Sequence, residues 1–289
     1  MVPLQVPNQY LALAPVIVTA PTTRCGTTLI QRLLTGSTNA FLYGEEIAAY
    51  VASLTQVMVN FLQLTERIGA SMDADFESAL AGPVKDWRPA QMPPLGVIQP
   101  AFIESYYRIP AALAAHGESI GRPVWGFKRP DLSRDMLSAM LMLMPRAKVV
   151  YVYRHLADAL KSAKARRFVT SDADVAAFCA RWANGLTEVA KLASDPRVLF
   201  VKYETLVAER ATMIQLLEAF TGARGVSPAA FDIKVNTFAG DAAGYSPTQY
   251  IEPAPLTDAD LAAIEAHAGP VLTQLFGPQP ARDGASIAA

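Results

Sequence analysis

The chain has little of what marks several common classes of protein. It carries two cysteines, Cys25 and Cys179, too few for a disulfide framework and in keeping with a reducing compartment. Its three histidines, His116, His155 and His267, are scattered, so no ligand cluster predicts a metal. The net charge of −1 supplies no overall basic field to attract nucleic acid, which leaves room only for a local basic pocket. No uninterrupted apolar run approaches the roughly 18 residues that suggest a membrane span. The opening Met1-Val-Pro-Leu-Gln-Val-Pro-Asn8 has neither the basic nor the long apolar region of a secretory leader. Internal repeats are absent. These absences predict a cytoplasmic protein with no membrane span and no nucleic-acid partner; a homodimer is compatible with them. The abundance is apolar: 52% of residues are hydrophobic against 18% charged, enough for a sizeable core.

Four segments, 15–20, 124–128, 148–153 and 198–202, are apolar and β-branched enough for a buried parallel sheet, and a short fifth lies at 40–43. Helical periodicity separates them at 27–36, 46–70, 100–116, 132–143, 156–168, 173–194 and 208–221. Strands alternating with helices predict an α/β fold, three layers around a mostly parallel central sheet with right-handed crossovers. Prolines and glycines make 82–99 and 222–255 irregular insertions, expected to form lids or substrate walls. A last helix at about 257–275 is expected to pack on the sheet, and the tail 277–289 to be disordered. No linker divides the chain, so residues 1–289 read as one domain.

The most informative stretch is Val16-Ile-Val-Thr-Ala-Pro-Thr-Thr-Arg-Cys-Gly-Thr-Thr-Leu-Ile30. A short β-branched run leads through a polar, glycine-containing turn into a helix with Leu29, Ile30, Leu33 and Leu34 on one face. Strand, tight turn and helix N-terminus form an anion site, because backbone N–H groups and the helix dipole point at the turn. Arg24 adds a positive charge, and Thr27 and Thr28 add hydroxyl donors. The turn resembles a P-loop without its lysine, since Arg24-Cys-Gly-Thr-Thr28 places the charge before the glycine. Cys25 sits where a nucleophilic thiolate would be favoured. A Cys-x5-Arg phosphatase loop does not fit, because residue 31 is Gln and the arginine is Arg32.

Strand, turn and helix recur in Lys148-Val-Val-Tyr-Val-Tyr-Arg-His-Leu-Ala-Asp-Ala-Leu-Lys-Ser-Ala-Lys-Ala-Arg166. Arg154 ends the strand, where open α/β sheets bind ligands. Ser162 follows eight residues later, and Arg166 one turn after it on the same helix face. The three side chains are thereby placed to converge on one phosphate, for which arginine forks are suited. Taken singly, each is an ordinary basic or polar residue of a surface helix.

Together the two segments resemble the paired phosphate signatures of sulfotransferases that use 3′-phosphoadenosine 5′-phosphosulfate (PAPS). The family's first loop commonly reads Pro-Lys/Arg-Ser-Gly-Thr-Thr; here it reads Thr23-Arg-Cys-Gly-Thr-Thr28, departing at Thr23 and Cys25. The second signature, a strand-ending arginine with a serine eight positions on, falls at Arg154 and Ser162, with His155-Leu156 in place of Asp/Asn-Pro. A third segment, Val201-Lys-Tyr-Glu-Thr-Leu-Val207, is similar to the family's Arg-Tyr-Glu-Asp-Leu. The resemblance runs from about 15 to 221 and implies a P-loop-like sulfotransferase fold with PAPS as co-substrate and no metal. By it, Arg24, Cys25, Gly26, Thr27, Thr28 and Leu29 hold the 5′-phosphosulfate, and Arg154, Ser162 and Arg166 the 3′-phosphate. Tyr203 would lie near the adenine or the 3′-phosphate.

Sulfuryl transfer needs in-line geometry, charge stabilisation and a base for the acceptor hydroxyl. In the tyrosine-sulfating branch the base is the first glutamate of a Gly-Glu-Glu segment, which matches Glu45 in Gly44-Glu-Glu46. The plain alternative for such a pair is charge at the start of a helix. Lys128, ending Val124-Trp-Gly-Phe-Lys128, matches a lysine that stabilises the leaving phosphate or bridging oxygen, with Arg129 as the neighbouring alternative. Glu45 and Lys128 are thus expected on either side of the transfer. The family's C-terminal Arg-Lys-Gly motif is missing, with Gly244-Tyr-Ser246 as a partial replacement. The implied acceptor is a small molecule or peptide with a hydroxyl. Two other readings stay open: a P-loop kinase using ATP and Mg²⁺, with Asp131 as its nearest metal-holding acid, and a non-catalytic nucleotide-binding protein.

Overall fold

The computed structural model describes residues 6–82, 92–232 and 253–277. Five strands, β1 (Val16–Thr19), β2 (Ala40–Tyr43), β3 (Val124–Lys128), β4 (Lys148–Tyr153) and β5 (Val198–Lys202), form one sheet in the order β2-β3-β1-β4-β5. Every pairing is parallel, with Val16 opposite both Gly126 and Lys148. β1 is fully buried and β4 nearly so, as expected for strands covered on both faces. All five strands predicted from the apolar runs are present.

The helices are α1 (Asn8–Leu11), α2 (Thr27–Thr35), α3 (Glu45–Leu80), α4 (Leu95–Ser119), α5 (Arg134–Leu143), α6 (Leu156–Ala165), α7 (Asp172–Ala190), α8 (Tyr203–Ala208), α9 (Arg210–Thr221) and α10 (Asp258–Phe276). Caps fix several of the starts. Ser133 accepts from the Met136 amide, and Ser171 and Thr257 form capping boxes with Asp174 and Asp260. Gly222 ends α9 in the left-handed conformation.

Three expectations are corrected. Helix α3 runs to Leu80 rather than residue 70, because Gly69 and Met72 continue its buried stripe and no proline interrupts it before Pro83. Helix α4 starts at Leu95, not at 100, so the irregular insertion is shorter than 82–99; Pro94 caps it and Asp73 of α3 accepts from the Leu95 amide at 2.9 Å. Pro100 and Pro110 lie inside this helix. Helix α10 packs chiefly on α7 and α6 rather than on the sheet, and its last residue, Phe276, meets Tyr153 and Lys202 at the ends of β4 and β5. Most of 222–255, with Gly244-Tyr-Ser246, and the tail beyond Gly277 lie outside the described residues.

By length and composition α3 would pass for a membrane-crossing helix, with a mean hydropathy of 1.4 over its most apolar window. Its stripe of Ala48, Val51, Met58 and Met72 is buried where the helix packs on α4, α5 and β3, and 28% of the apolar window is buried in all.

Candidate active site

Each predicted site residue follows the carboxyl end of a strand: Arg24 after β1, Glu45 after β2, Lys128 at the end of β3, Arg154 after β4 and Tyr203 after β5. That edge of an open parallel sheet is where ligands collect, and the chain order turns back beside β1, between β3 and β4.

The loop after β1 adopts a conformation that few residue types tolerate. Arg24 has φ 68° and Gly26 has φ 110°. A Cβ on Gly26 would stand 2.5 Å from Cδ2 of Tyr203 and 3.4 Å from Cγ2 of Val152, so the tyrosine ring lies directly on the glycine. Gly26 caps α2, whose first amides open towards the loop; those of Leu29 and Ile30 already donate to Gly26 O at 3.0 and 3.2 Å. Thr27 is buried and Thr28 exposed. Cys25 is wholly buried, its Sγ 3.5 Å from Thr22 Oγ1, and burial pushes the thiol pKa up. It is a packing residue, out of reach as a nucleophile.

The two predicted anion segments meet. Arg24 Nε donates to Ser162 Oγ at 3.0 Å, linking loops 138 positions apart. Burial lowers the Arg24 pKa, and the nearby positive charges of Arg166 and Arg154 lower it further. Three guanidinium groups and a hydroxyl thus gather at one place. The Arg154 guanidinium lies over the Tyr203 ring, 4.6 Å from its centroid, and its Nε is buried without a hydrogen-bond partner among the described residues. A buried charged donor left open in this way matches an anionic ligand.

The backbone around Arg154 is held by residues that the sequence did not single out for that task. Trp182 of α7 donates its indole N–H to Arg154 O at 3.0 Å, and Glu204 Oε1 accepts from the His155 amide at 2.9 Å. His155 Nδ1 accepts from the Ala157 amide at 3.3 Å, so the histidine caps α6 where the resemblance has Asp/Asn-Pro. His155 could have been found as the polar residue directly preceding an apolar-periodic helix, and Glu204 as the neighbour of Tyr203. No local signal marks Trp182.

A second cluster lies at the ends of β2 and β3. The Lys128 ammonium, almost fully buried, forms an ion pair with Glu45 and lies 3.5 Å from Thr28 Oγ1. Glu45 and Lys128 are therefore in direct contact, and Thr28 ties them to the first loop. Glu45 is 48% exposed and opens α3, so the helix-start role and the site position coincide. Glu46 is exposed. The Arg129 amide donates to Val18 O, and its side-chain charge acts on Asp131, which also feels the charge of Glu45. Asp131 has φ 61° and donates its amide to Ala20 O at 2.8 Å, which pins the β3 loop beside the first. Among the described residues no group of three His, Cys, Asp or Glu could hold a metal ion.

No curated protein matches the chain. Similar solved structures include the sulfotransferase domain of the Synechococcus PCC 7002 olefin synthase, at 15% identity over 87% of this chain and 94% of that one, with a TM-score of 0.46. A Mycobacterium tuberculosis sulfotransferase is similar at 20% identity over 76% and 70% of the two chains, with a TM-score of 0.41. A mouse sulfotransferase complexed with PAP is similar at 13% identity over 78% and 65%, with a TM-score of 0.42. A family model described as the sulfotransferase family matches residues 15–227, from β1 through both anion loops and past α9. With that match spanning every strand and every predicted site residue, the chain belongs to the sulfotransferase family.

Proposed function

We propose that this chain transfers the sulfuryl group of PAPS to a hydroxyl on a small-molecule or peptide acceptor. The hydrogen bond between Arg24 and Ser162 carries the reading, because it joins the two anion loops into one clamp, as a nucleotide with phosphate groups on both the 3′ and 5′ positions of its ribose requires. The open, buried Nε of Arg154 fits such a ligand: it asks for an oxyanion. When bound, PAPS supplies the activated sulfuryl group.

The amides of the 25–28 loop and the Arg24 guanidinium hold the 5′ end, and Arg154, Ser162 and Arg166 hold the 3′-phosphate. Tyr203, fixed between Gly26 and Arg154, forms the wall between the two loops. Glu45 takes the proton of the acceptor hydroxyl. Lys128, already beside Thr28, places an ammonium where negative charge develops on the departing oxygen. An incoming hydroxyl then shares the Glu45 carboxylate with the Lys128 ammonium.

Thermal melts with 3′-phosphoadenosine 5′-phosphate (PAP) and with ADP test the reading. A ligand that binds only the folded chain raises its melting temperature by mass action, so PAP should stabilise strongly and ADP weakly. Stabilisation by ADP with Mg²⁺ and none by PAP points to phosphoryl transfer instead. Turnover unaffected by Glu45→Gln and Lys128→Ala removes the assigned chemistry.

A further inference from the structure

Helix α2 has two faces of opposite character. Ile30, Leu33 and Leu34 are buried against the core. On the other side Thr28, Gln31 and Thr35 stand at i, i+3 and i+7, and all three reach the end of the sheet. Thr28 Oγ1 meets the Lys128 ammonium, and Thr35 Oγ1 accepts from the Leu42 amide at 3.2 Å. Gln31 uses both donors of its side-chain amide, giving bonds to Leu42 O at 3.0 Å and Tyr43 O at 3.2 Å.

β2 is an edge strand, so part of this pattern is edge protection. Ser37 Oγ serves the Ala40 amide, Arg122 the Ala40 carbonyl and Thr35 the Leu42 amide. Gln31 goes further along the chain. Its second bond holds Tyr43 O, the last carbonyl before Gly44 and Glu45. Gly44 has no side chain to pack, and its carbonyl accepts from the Ala48 amide at 3.3 Å as α3 begins. The chain leaving β2 is held before the turn by hydrogen bonds at Leu42 and Tyr43 and by the Tyr43 ring, whose hydroxyl bonds Leu113 O at 3.0 Å and meets His116 Nδ1 at 2.8 Å, and after it by the Glu45–Lys128 ion pair.

We infer that Gln31 is a positioning residue for Glu45. Through the terminal carbonyls of β2 it fixes the Gly44–Glu45 turn relative to the anion loop at the other end of the same helix. Nine helical residues then carry both the cradle for the sulfuryl donor and the brace for the acceptor's base, so their separation is set by one rigid body. The inference rests on the reading of Glu45 as the base.

The test compares Gln31→Met, which keeps length but loses both donors, with Thr35→Val, which removes only the edge bond one residue earlier. Hydrogen–deuterium exchange should speed up at residues 44–48 in Gln31→Met and not in Thr35→Val, with the 26–30 segment unchanged in both. Sulfuryl transfer from PAPS to phenol, a long-chain alcohol and a tyrosine peptide should fall about tenfold in kcat for Gln31→Met, at unchanged KM for PAPS. Gln31→Lys, which keeps a donor, should recover most of the loss. Wild-type exchange at 44–48 in Gln31→Met overturns the inference, as does loss of PAP binding in step with turnover, which would make Gln31 a residue of the fold alone. Turnover lost in Glu45→Gln but kept in Gln31→Met refutes the positioning role; turnover kept in both refutes the assignment of Glu45.

Discussion

Replacing Gly26 by alanine should damage the site at a single atom. The backbone there has φ 110° and ψ 6°, and a non-glycine residue forced into such a region costs about 1–3 kcal/mol. The new Cβ would stand 2.5 Å from Cδ2 and 3.0 Å from Cε2 of Tyr203, so the ring must withdraw. Its displacement removes the surface on which the Arg154 guanidinium rests, 4.6 Å from the centroid, for a further loss of about 0.5–1 kcal/mol. The sum, about 1.5–4 kcal/mol, corresponds to a fall of roughly 2–7 °C in melting temperature for a chain of this size. Because Arg154 shifts with the ring, the stabilisation by PAP should shrink as well, by about tenfold or more in affinity. Gly44→Ala is the control: φ is −82° and the Cβ space is empty, so stability should stay level or rise slightly. Melting curves of the three proteins, with and without PAP, decide the matter. A Gly26→Ala protein that melts like wild type and responds fully to PAP would show that the contact between Tyr203 and Gly26 does not shape the loop.

Ser162→Ala removes the acceptor of the Arg24 Nε bond and a phosphate donor; at about 0.5–1.5 kcal/mol it should raise the KM for PAPS roughly two- to tenfold and spare kcat in initial-rate assays. Lys164→Met strands the Asp260 carboxylate, which is 2% exposed and receives Lys164 Nζ at 2.7 and 2.6 Å; urea denaturation should show a loss of about 2 kcal/mol, held below the value for a fully buried pair because Lys164 is 36% exposed. No change in the midpoint would mean that α10 is held to α6 by packing alone. Hydrogen bonds from the Thr170 amide and hydroxyl, then from Ser171, pull the Asp174 pKa down from 3.8 to about 2. A depressed acid stabilises the fold above its unfolded pKa and loses that contribution as pH falls through the folded one, so melting temperature should drop between pH 3.8 and about 2 more steeply in wild type than in Asp174→Asn. Parallel curves would exclude the capping box as an acid-sensitive element.

The strands were legible because each is a compact apolar run ended by a polar or breaking residue, as Thr19 is by Ala20-Pro21 and Lys128 by Arg129-Pro130. Helix limits were less legible where a partner far along the chain sets them. Pro94 marks the start of α4 locally, while Asp73, which accepts from the Leu95 amide, lies 22 positions away and leaves no signal beside it. The packing of α10 was misjudged for a similar reason: the buried Asp260 that ties it to Lys164 looks, in sequence, like an ordinary acid in a first helical turn. In the site, the two segments marked in the sequence as anion loops are the ones that the Arg24–Ser162 bond joins. Contact between Glu45 and Lys128 was not foretold, since β2 and β3 were placed at the same edge without their order. Gln31 and Trp182 act through single bonds to distant carbonyls, and such bonds leave no periodicity to read.

The side chains along β2 also bear on how copies of this chain could meet. A bare outer strand invites another strand to continue the sheet. Here the outward amide and carbonyl of Ala40 are taken by Ser37 and Arg122, and those of Leu42 by Thr35 and Gln31. Sheet extension through that rim would first have to strip four side chains from their bonds. Continuation of the sheet by a further strand along β2 is thereby made costly.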